Sequence, residues 1–375
     1  MRKLLRRSAA VGAILMATGT LFAQPFLRKE FAGDFLIGAA LSKDQILDKE
    51  ELLPFVAAQF SAVTAENAMK WEKLNPARGR YEFEVADRLA AFARENDIHL
   101  TGHTLVWHSQ TPGWVFEDES GRPASRELLL SRLEKHINTV VGRYRGTVPS
   151  WDVVNEALNE DGTLRESPWY KIIGEEFLEK SFEFAHRADP AAELYYNDYN
   201  LFKPAKREGA IRLVKRLQEK GIPIHGVGMQ AHYSLDFPAD VDEVEQSVKA
   251  FAAVGVKVLF TELDVSVLPF PNDAEQGADI GRTSVIRSGL DPYVNGLPLE
   301  IERRQSEIYQ RLFRIFLRHR ASISRVTFWG VNDGNSWKNN WPIRGRTDYP
   351  LLFDRKNRPK KALLEIVKMR HEQDW

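Results

Sequence analysis

The sequence predicts an α/β chain folded as a (β/α)8 TIM barrel, and three observations carry that expectation. Eight short runs are almost continuously apolar, as parallel strands covered on both faces should be. Between them lie stretches with a helical apolar period. Eight such strand-then-helix units fit into about 330 residues, the size of a sheet closed on itself. A doubly wound sheet is the alternative, but neither G-x-G-x-x-G nor G-x-x-x-x-G-K-S/T follows any run.

Taken in order, the runs are DFLIGAAL (34–41), AVTAEN (62–67), LTGHTLVW (100–107), SWDVVNE (150–156), ELYYND (193–198), GVGMQAH (226–232), KVLFTELD (257–264) and RVTFWGV (325–331). The intervening helical segments include 85–98, 125–144, 207–222 and 300–319. In 207–222, Ile211, Leu213, Val214 and Leu217 leave Arg and Lys to the opposite face. No linker or low-complexity run divides the chain, so residues 24–375 read as one domain. A stretch of more than thirty residues rich in Pro, Gly and Asp separates the seventh run from Glu300. It follows a strand end, which puts it on the substrate side of a barrel.

Composition narrows the function. Hydrophobic residues make up 43% of 375, enough for a large core. Lys+Arg and Asp+Glu both number 52, so the net charge is zero and nucleic acid is not the expected partner. The absence of cysteine removes disulfides, thiolate metal sites and a thiol nucleophile. At the N-terminus, MRKLLRRS is a basic region and AAVGAILMATGTLF an apolar one too short to span a membrane. Residues 1–23 therefore read as an export signal cleaved after Ala23, although Leu21 is a poor fit to the small residue expected two positions earlier. An uncleaved amphipathic anchor is the alternative. The expected destination is the periplasm or the medium.

Barrel chemistry sits at the C-terminal ends of the strands. The second run ends in Glu66 and Asn67, with Lys70 and Trp71 beyond; the third carries His103, Trp107 and His108. The fourth ends in Asn155 and Glu156, the fifth in Asn197, Asp198 and Tyr199, the sixth in Gln230 and His232. The seventh gives Glu262 and Asp264, and the eighth Trp329, with Trp337 and Trp341 following. Any one of these has a bland reading as a surface ion pair, a satisfied core histidine or plain packing. Polar terminations on seven strands of one rim do not, because buried polar groups cost free energy unless paired.

There is no serine nucleophile elbow and no H-E-x-x-H. His103, His108 and Asp198 are a candidate metal set, but strand geometry puts the two histidines on opposite sides of the ribbon. Glu156 and Glu262 remain, at tips that face each other across the mouth. Two carboxylates flanking one bond are the equipment of glycoside hydrolysis. Amides suit sugar hydroxyls, and indole faces suit the apolar faces of sugar rings.

The motifs TAENAMKW, GHTLVWHSQ, WDVVNEA, GMQAHY, FTELDV and FWGVNDGNSW, in that order along a match that runs from about residue 30 to the C-terminus, resemble a glycoside hydrolase family 10 endo-β-1,4-xylanase. The resemblance implies a retaining enzyme that hydrolyses xylan without cofactor or metal. It makes Glu156 the acid/base and Glu262 the nucleophile, with carboxyl groups about 5–5.5 Å apart as retention requires. Glu156 then starts as a proton donor while Glu262 is ionised. Esterification of Glu262 removes its charge, and Glu156, relieved of a like-charged neighbour, turns to activating water.

By the same resemblance, Asn155 bonds the sugar 2-hydroxyl or the nucleophile, and His232 with Asp264 fixes Glu262. Gln230 bonds Glu156 or the sugar. Glu66, Asn67 and Lys70 hold the next sugar outward, and His103 and Trp107 the sugar at the cleavage point, with Tyr199 a further substrate contact. Trp329 and Trp337 form a roof that admits a pentose and crowds a hexose hydroxymethyl group. Departures in the long loop and in NNWPIRGRTDYP (339–350) affect the outer subsites. The expected partners are xylan and xylo-oligosaccharides, met by a monomer away from nucleic acid and, once the signal is removed, from membranes. A non-catalytic glycan binder on the same barrel and a glycosidase for another β-1,4-glycan are the competing readings.

Overall fold

The computed structural model describes residues 25–269 and 289–372. The expected signal (1–23) and most of the long segment before Glu300 lie outside the described residues.

The strands are β1 Leu36–Leu41, β2 Ala62–Ala65, β3 His99–Trp107, β4 Ser150–Asn155, β5 Glu193–Asp198, β6 Gly226–Met229, β7 His232–Ser234, β8 Lys257–Ser266 and β9 Ile323–Phe328. All pairings are parallel, and they run β1–β2–β3–β4–β5–β6–β8–β9 and back to β1. That is a closed eight-stranded barrel. It closes where Leu36 lies opposite Arg325 and Gly38 opposite Thr327. Helices cover the outside, as the apolar runs require: all six residues of β4 are buried.

Five predicted runs end elsewhere than expected; the second stops at Ala65, the seventh runs on to Ser266, and three more break at the rim. The sixth was expected to be continuous over 226–232, but it breaks at Gln230 and Ala231 and resumes as β7, which pairs with β8 through His232 and Asp264. The break is a backbone one, with Ala231 at φ 66° in the left-handed region. The fourth run stops at Asn155 because Glu156 is also left-handed, at φ 56°. The eighth ends at Phe328, before Trp329 and Gly330, so its tryptophan sits on the rim rather than in the strand.

The helices follow their capping chemistry. The segment expected over 125–144 is Arg126–Arg143, because the Ser125 hydroxyl caps it by accepting from the Leu128 N–H. The segment expected from 207 starts at Pro204, where a missing N–H costs nothing, and runs to Glu219. Gly221 follows at φ 68°, a conformation that glycine reaches without strain, and the Ile222 N–H closes on the Leu217 carbonyl. The segment expected over 300–319 is Leu299–Arg318, whose Phe313 and Phe316 pack on Phe31, Phe35, Phe260 and Phe328. Each fully buried aromatic of this kind is worth about 2–3 kcal/mol of apolar transfer.

Candidate active site

The apolar residues of β4 put Asn155 and Glu156 at the centre of the C-terminal rim. The left-handed turn at Glu156 is held from several sides. Its N–H donates to the Asn197 carbonyl (2.9 Å), and Arg165 Nε donates to its carbonyl (3.2 Å). The next two N–H groups, of Ala157 and Leu158, donate to the Tyr196 hydroxyl and Asp198 Oδ2. Behind them Lys206 Nζ lies 2.9 Å from Asp198 Oδ1, both fully buried. Burial raises the Asp198 carboxyl to about 6 against the pull of Lys206. Asp198 thus belongs to the support of the acid-bearing turn.

The two carboxylates have unlike surroundings. Glu156 accepts from Trp107 Nε1 at 3.0 Å and from Gln230 Nε2 at 2.9 Å. Both partners are uncharged donors. Glu262 accepts from Asn197 Nδ2 at 2.9 Å, and its other oxygen lies 3.2 Å from His232 Nε2. His232 Nδ1 lies 2.9 Å from Asp264 Oδ2, which also accepts from Trp337 Nε1 at 2.8 Å. Burial alone would raise the Glu262 carboxyl, yet the His232 bond and the charges of His232 and Lys70 hold it below the ordinary carboxylate range. A chain of amides joins the two groups. Gln230 Nε2 reaches Asn155 Oδ1 at 3.3 Å, and Asn197 Nδ2 reaches the same oxygen at 2.9 Å. The arrangement gives one uncharged-ligated carboxyl and one carboxylate anchored beside cations, on the wall of a single cleft.

That cleft has a volume of about 840 Å³, and of the fourteen residues to which the resemblance gives a role all but Asp264 line it. Asp264 sits one layer behind, fully buried. At the floor, Lys70 Nζ donates to Asn67 Oδ1 (3.0 Å) and Gln110 Oε1 (2.9 Å), and Asn67 Nδ2 donates to Glu66 Oε1 (3.2 Å). Burial raises the Glu66 carboxyl and lowers the Lys70 ammonium, each opposed by the other's charge. Trp329 stands edge-on to His103 with centroids 5.3 Å apart, and Trp337 tilts over His232 at 4.9 Å. The Tyr199 hydroxyl accepts from Arg165 at 3.0 Å.

Two residues have duties that sequence reasoning did not assign. Asn197, noted only as a strand tip, supplies the amide bond to Glu262 that was one of two roles for Asn155. A Cβ on Gly228 would come within 2.4 Å of Asn197 Oδ1, so the neighbouring strand is shaped around this side chain. Gln110, within the GHTLVWHSQ motif, ties Lys70 to Asn67. Trp107, expected to hold sugar, also donates to Glu156. The candidate metal set is dispersed in its duties. His103 Nδ1 pairs with Asp152 (2.9 Å), His108 packs edge-on to Trp107, and Asp198 is paired with Lys206.

The described ends of the long segment fasten to residues 346–349. The Val267 N–H donates to Asp348, Arg346 donates to the carbonyls of Pro269 and Leu290, and the Tyr349 hydroxyl to that of Tyr293. With Ser266 on the cleft wall, this stretch starts on the substrate side.

His232 gives a pH test of the site. Burial lowers its pKa, but Asp264 and Glu262 outweigh burial and hold it at about 9, above the ordinary 6.5. A raised folded value means that its contribution to stability is complete below pH 6.5 and lost as pH rises toward 9. Thermal melts should therefore show the wild-type Tm falling across that window, with a flatter slope in His232→Gln. Parallel slopes for the two proteins would contradict the pairing.

Comparison with known proteins agrees with this geometry. The profile of glycosyl hydrolase family 10 matches residues 26–369. The chain is 44% identical over 347 residues to endo-1,4-beta-xylanase A of Xylanibacter ruminicola, covering 92% of this chain and 94% of that protein. It is 43% identical over 345 residues to an endo-1,4-beta-xylanase of Geobacillus stearothermophilus, covering 92% and 98%. A solved family 10 endoxylanase retrieved from sugarcane soil metagenome superposes with a TM-score of 0.87 at 43% identity, covering 92% and 99%. A mutant structure in complex with xylotriose superposes at 0.81 with 37% identity, covering 92% and 99%. The chain, a closed eight-stranded barrel with this cleft at its C-terminal rim, belongs to glycosyl hydrolase family 10.

Proposed function

We propose that the chain is a retaining endo-β-1,4-xylanase in which Glu262 is the nucleophile and Glu156 the acid/base. The observation that carries the reading is the contrast between the two carboxyl groups. One is ligated by an indole and an amide, the other is anchored by an imidazole that Asp264 charges. In the first step Glu262 attacks the anomeric carbon while Glu156 passes its proton to the leaving oxygen. Loss of the Glu262 charge then lets Glu156 take a proton from the water that hydrolyses the ester, and the anomeric configuration is restored.

The supporting residues divide the remaining work. His232 and Asp264 orient Glu262 and keep it ionised, as do Asn197 and, at longer range, Lys70. Asn155, bonded to Asn197 and Gln230, lies at the cleavage point, where it contacts the sugar together with His103 and Trp107. Glu66, Asn67 and Lys70 take the next sugar outward, and Tyr199 lines the other end. Trp329 and Trp337 cover the central sugar and leave no room for a hydroxymethyl group. The relatives' names and the xylotriose complex support xylan and xylo-oligosaccharides as substrates.

Residues 24–375 act as one catalytic domain, a monomer delivered by an export signal at 1–23 to the periplasm or medium. Among the described residues no helix is long and apolar enough to cross a membrane.

The test compares xylan with carboxymethyl cellulose as substrates of the purified protein, scoring reducing ends and product sizes. Short oligomers from xylan and little or nothing from the cellulose derivative are expected. Equal release from both would replace the xylan reading with a broader β-1,4-glycanase, and no product from either would leave a glycan-binding protein.

A further inference from the structure

A second cavity, of about 400 Å³, lies at the opposite end of the barrel from the cleft. Its walls come from the beginnings of strands, including Leu36, His99, Glu193, Lys257 and Arg325. Arg325 is the group there without an explanation. It opens the apolar run RVTFWGV and is 2% exposed. Only Nη1 of its guanidinium is engaged: it donates to Thr101 Oγ1 and lies 3.4 Å from His99 Nε2 and 3.5 Å from Ser150 Oγ. Nε is buried with no partner, and Nη2 makes no hydrogen bond among the described residues. No carboxylate among them comes within ion-pair distance, because Glu193 in the same wall is taken by Lys257 and the Tyr195 hydroxyl.

An arginine cannot shed its charge, and here only the face of the Tyr195 ring, 5.8 Å from the guanidinium carbon, offsets it, with no anion to balance it. The unengaged Nε and Nη2 form one edge of the planar fork, the edge that grips two oxygens of a carboxylate or phosphate. The cavity wall also holds the cation Lys257 against the single carboxylate Glu193. His99 adds no charge there. Burial first, and then the charge of Arg325, lower its pKa to about 3, so it stays neutral. Ser324, in the same wall, has a buried hydroxyl without a partner, a further donor.

We propose that the N-terminal end of this barrel carries a small-oxyanion site, in which the Nε–Nη2 edge of Arg325, aided by the Ser324 hydroxyl, binds phosphate, sulfate or a small carboxylate. The site has no part in the hydrolysis, since the cleft lies at the other rim. Its effect falls on stability, the usual business of that end of the fold. Arg325 on β9 reaches Thr101 on β3 and Ser150 on β4 across the barrel floor, so an anion neutralising it ties three strands together.

The test is thermal melting of the full chain in phosphate, sulfate and acetate against chloride at matched ionic strength. Binding to the folded state alone gives a saturable rise of about 3 °C at a hundredfold excess over the dissociation constant. Arg325→Lys keeps the charge and loses the fork, and should need at least tenfold more anion for the same rise. Ser324→Ala removes one donor and should weaken the response several-fold, with kcat/KM on xylan unchanged well below Tm. A crystal soaked in selenate should show anomalous density beside Arg325, a readout that stands even where an Arg325 variant fails to fold. Equal melting in all salts, an undiminished rise in Arg325→Lys, or no selenate density in this cavity would each overturn the proposal.

Discussion

Glu262→Ala is expected to lower kcat on xylan by about 10⁵-fold or more, the scale of losing a covalent nucleophile. The fold should survive, because the side chain lines a cleft and its removal leaves His232 paired with Asp264. Azide should restore part of the activity on an aryl xyloside. It would enter the space left by the carboxylate, attack from the same face, and leave an α-glycosyl azide. That product separates a missing nucleophile from a general loss of structure, which no small anion repairs. Rescue giving a β-glycosyl azide, or a fall of tenfold or less, would assign the nucleophile elsewhere.

Glu156→Ala has the second largest expected effect, and it depends on the substrate. Xylan has a poor leaving group that needs a proton, so kcat/KM should fall by about 10²–10⁴-fold, the range of general acid catalysis. An aryl xylobioside with an acidic phenol needs no proton to leave, so its glycosylation step should be nearly unaffected. The covalent intermediate then persists, since no base activates water, and a burst of phenol should precede a slow steady state. Trp107→Phe gives a milder version, because it removes only the indole N–H that holds one oxygen of Glu156. An equal slowing of xylan and the activated substrate would show that Glu156 transfers no proton.

The barrel and its rim were legible because both follow from local patterns. Continuous apolar runs mark strands covered on two faces, and a polar residue at the end of each marks the side where function sits. The backbone breaks were less visible. Glu156 and Ala231 carry no sign of their left-handed φ, since neither is glycine, and their conformations are imposed by contacts from other strands. For Glu156 those contacts come from Asn197, Tyr196 and Asp198 on β5, about forty residues on, and from Arg165 nine residues on.

The same limit explains Asn155 and Asn197. Both are amides near a strand tip, and period-two alternation puts a side chain on a face without saying which carboxylate it reaches. Only the register of β4 on β5, with Asn155 opposite Asn197, sends Asn197 rather than Asn155 to Glu262. Arg325 is the opposite case. A charge at the start of an apolar run looks like a solvated strand end, and its burial comes from closing the barrel, which places it between β1 and β8.

The central claim is that Glu262 and Glu156 carry out two displacements on one glycosidic bond, and the most direct measurement is the stereochemistry of the first product. Proton NMR of a xylo-oligosaccharide digest, recorded before mutarotation, should show the β-anomer appearing first at the new reducing end. An initial α-anomer would mean single displacement by water, and would contradict a covalent intermediate on Glu262.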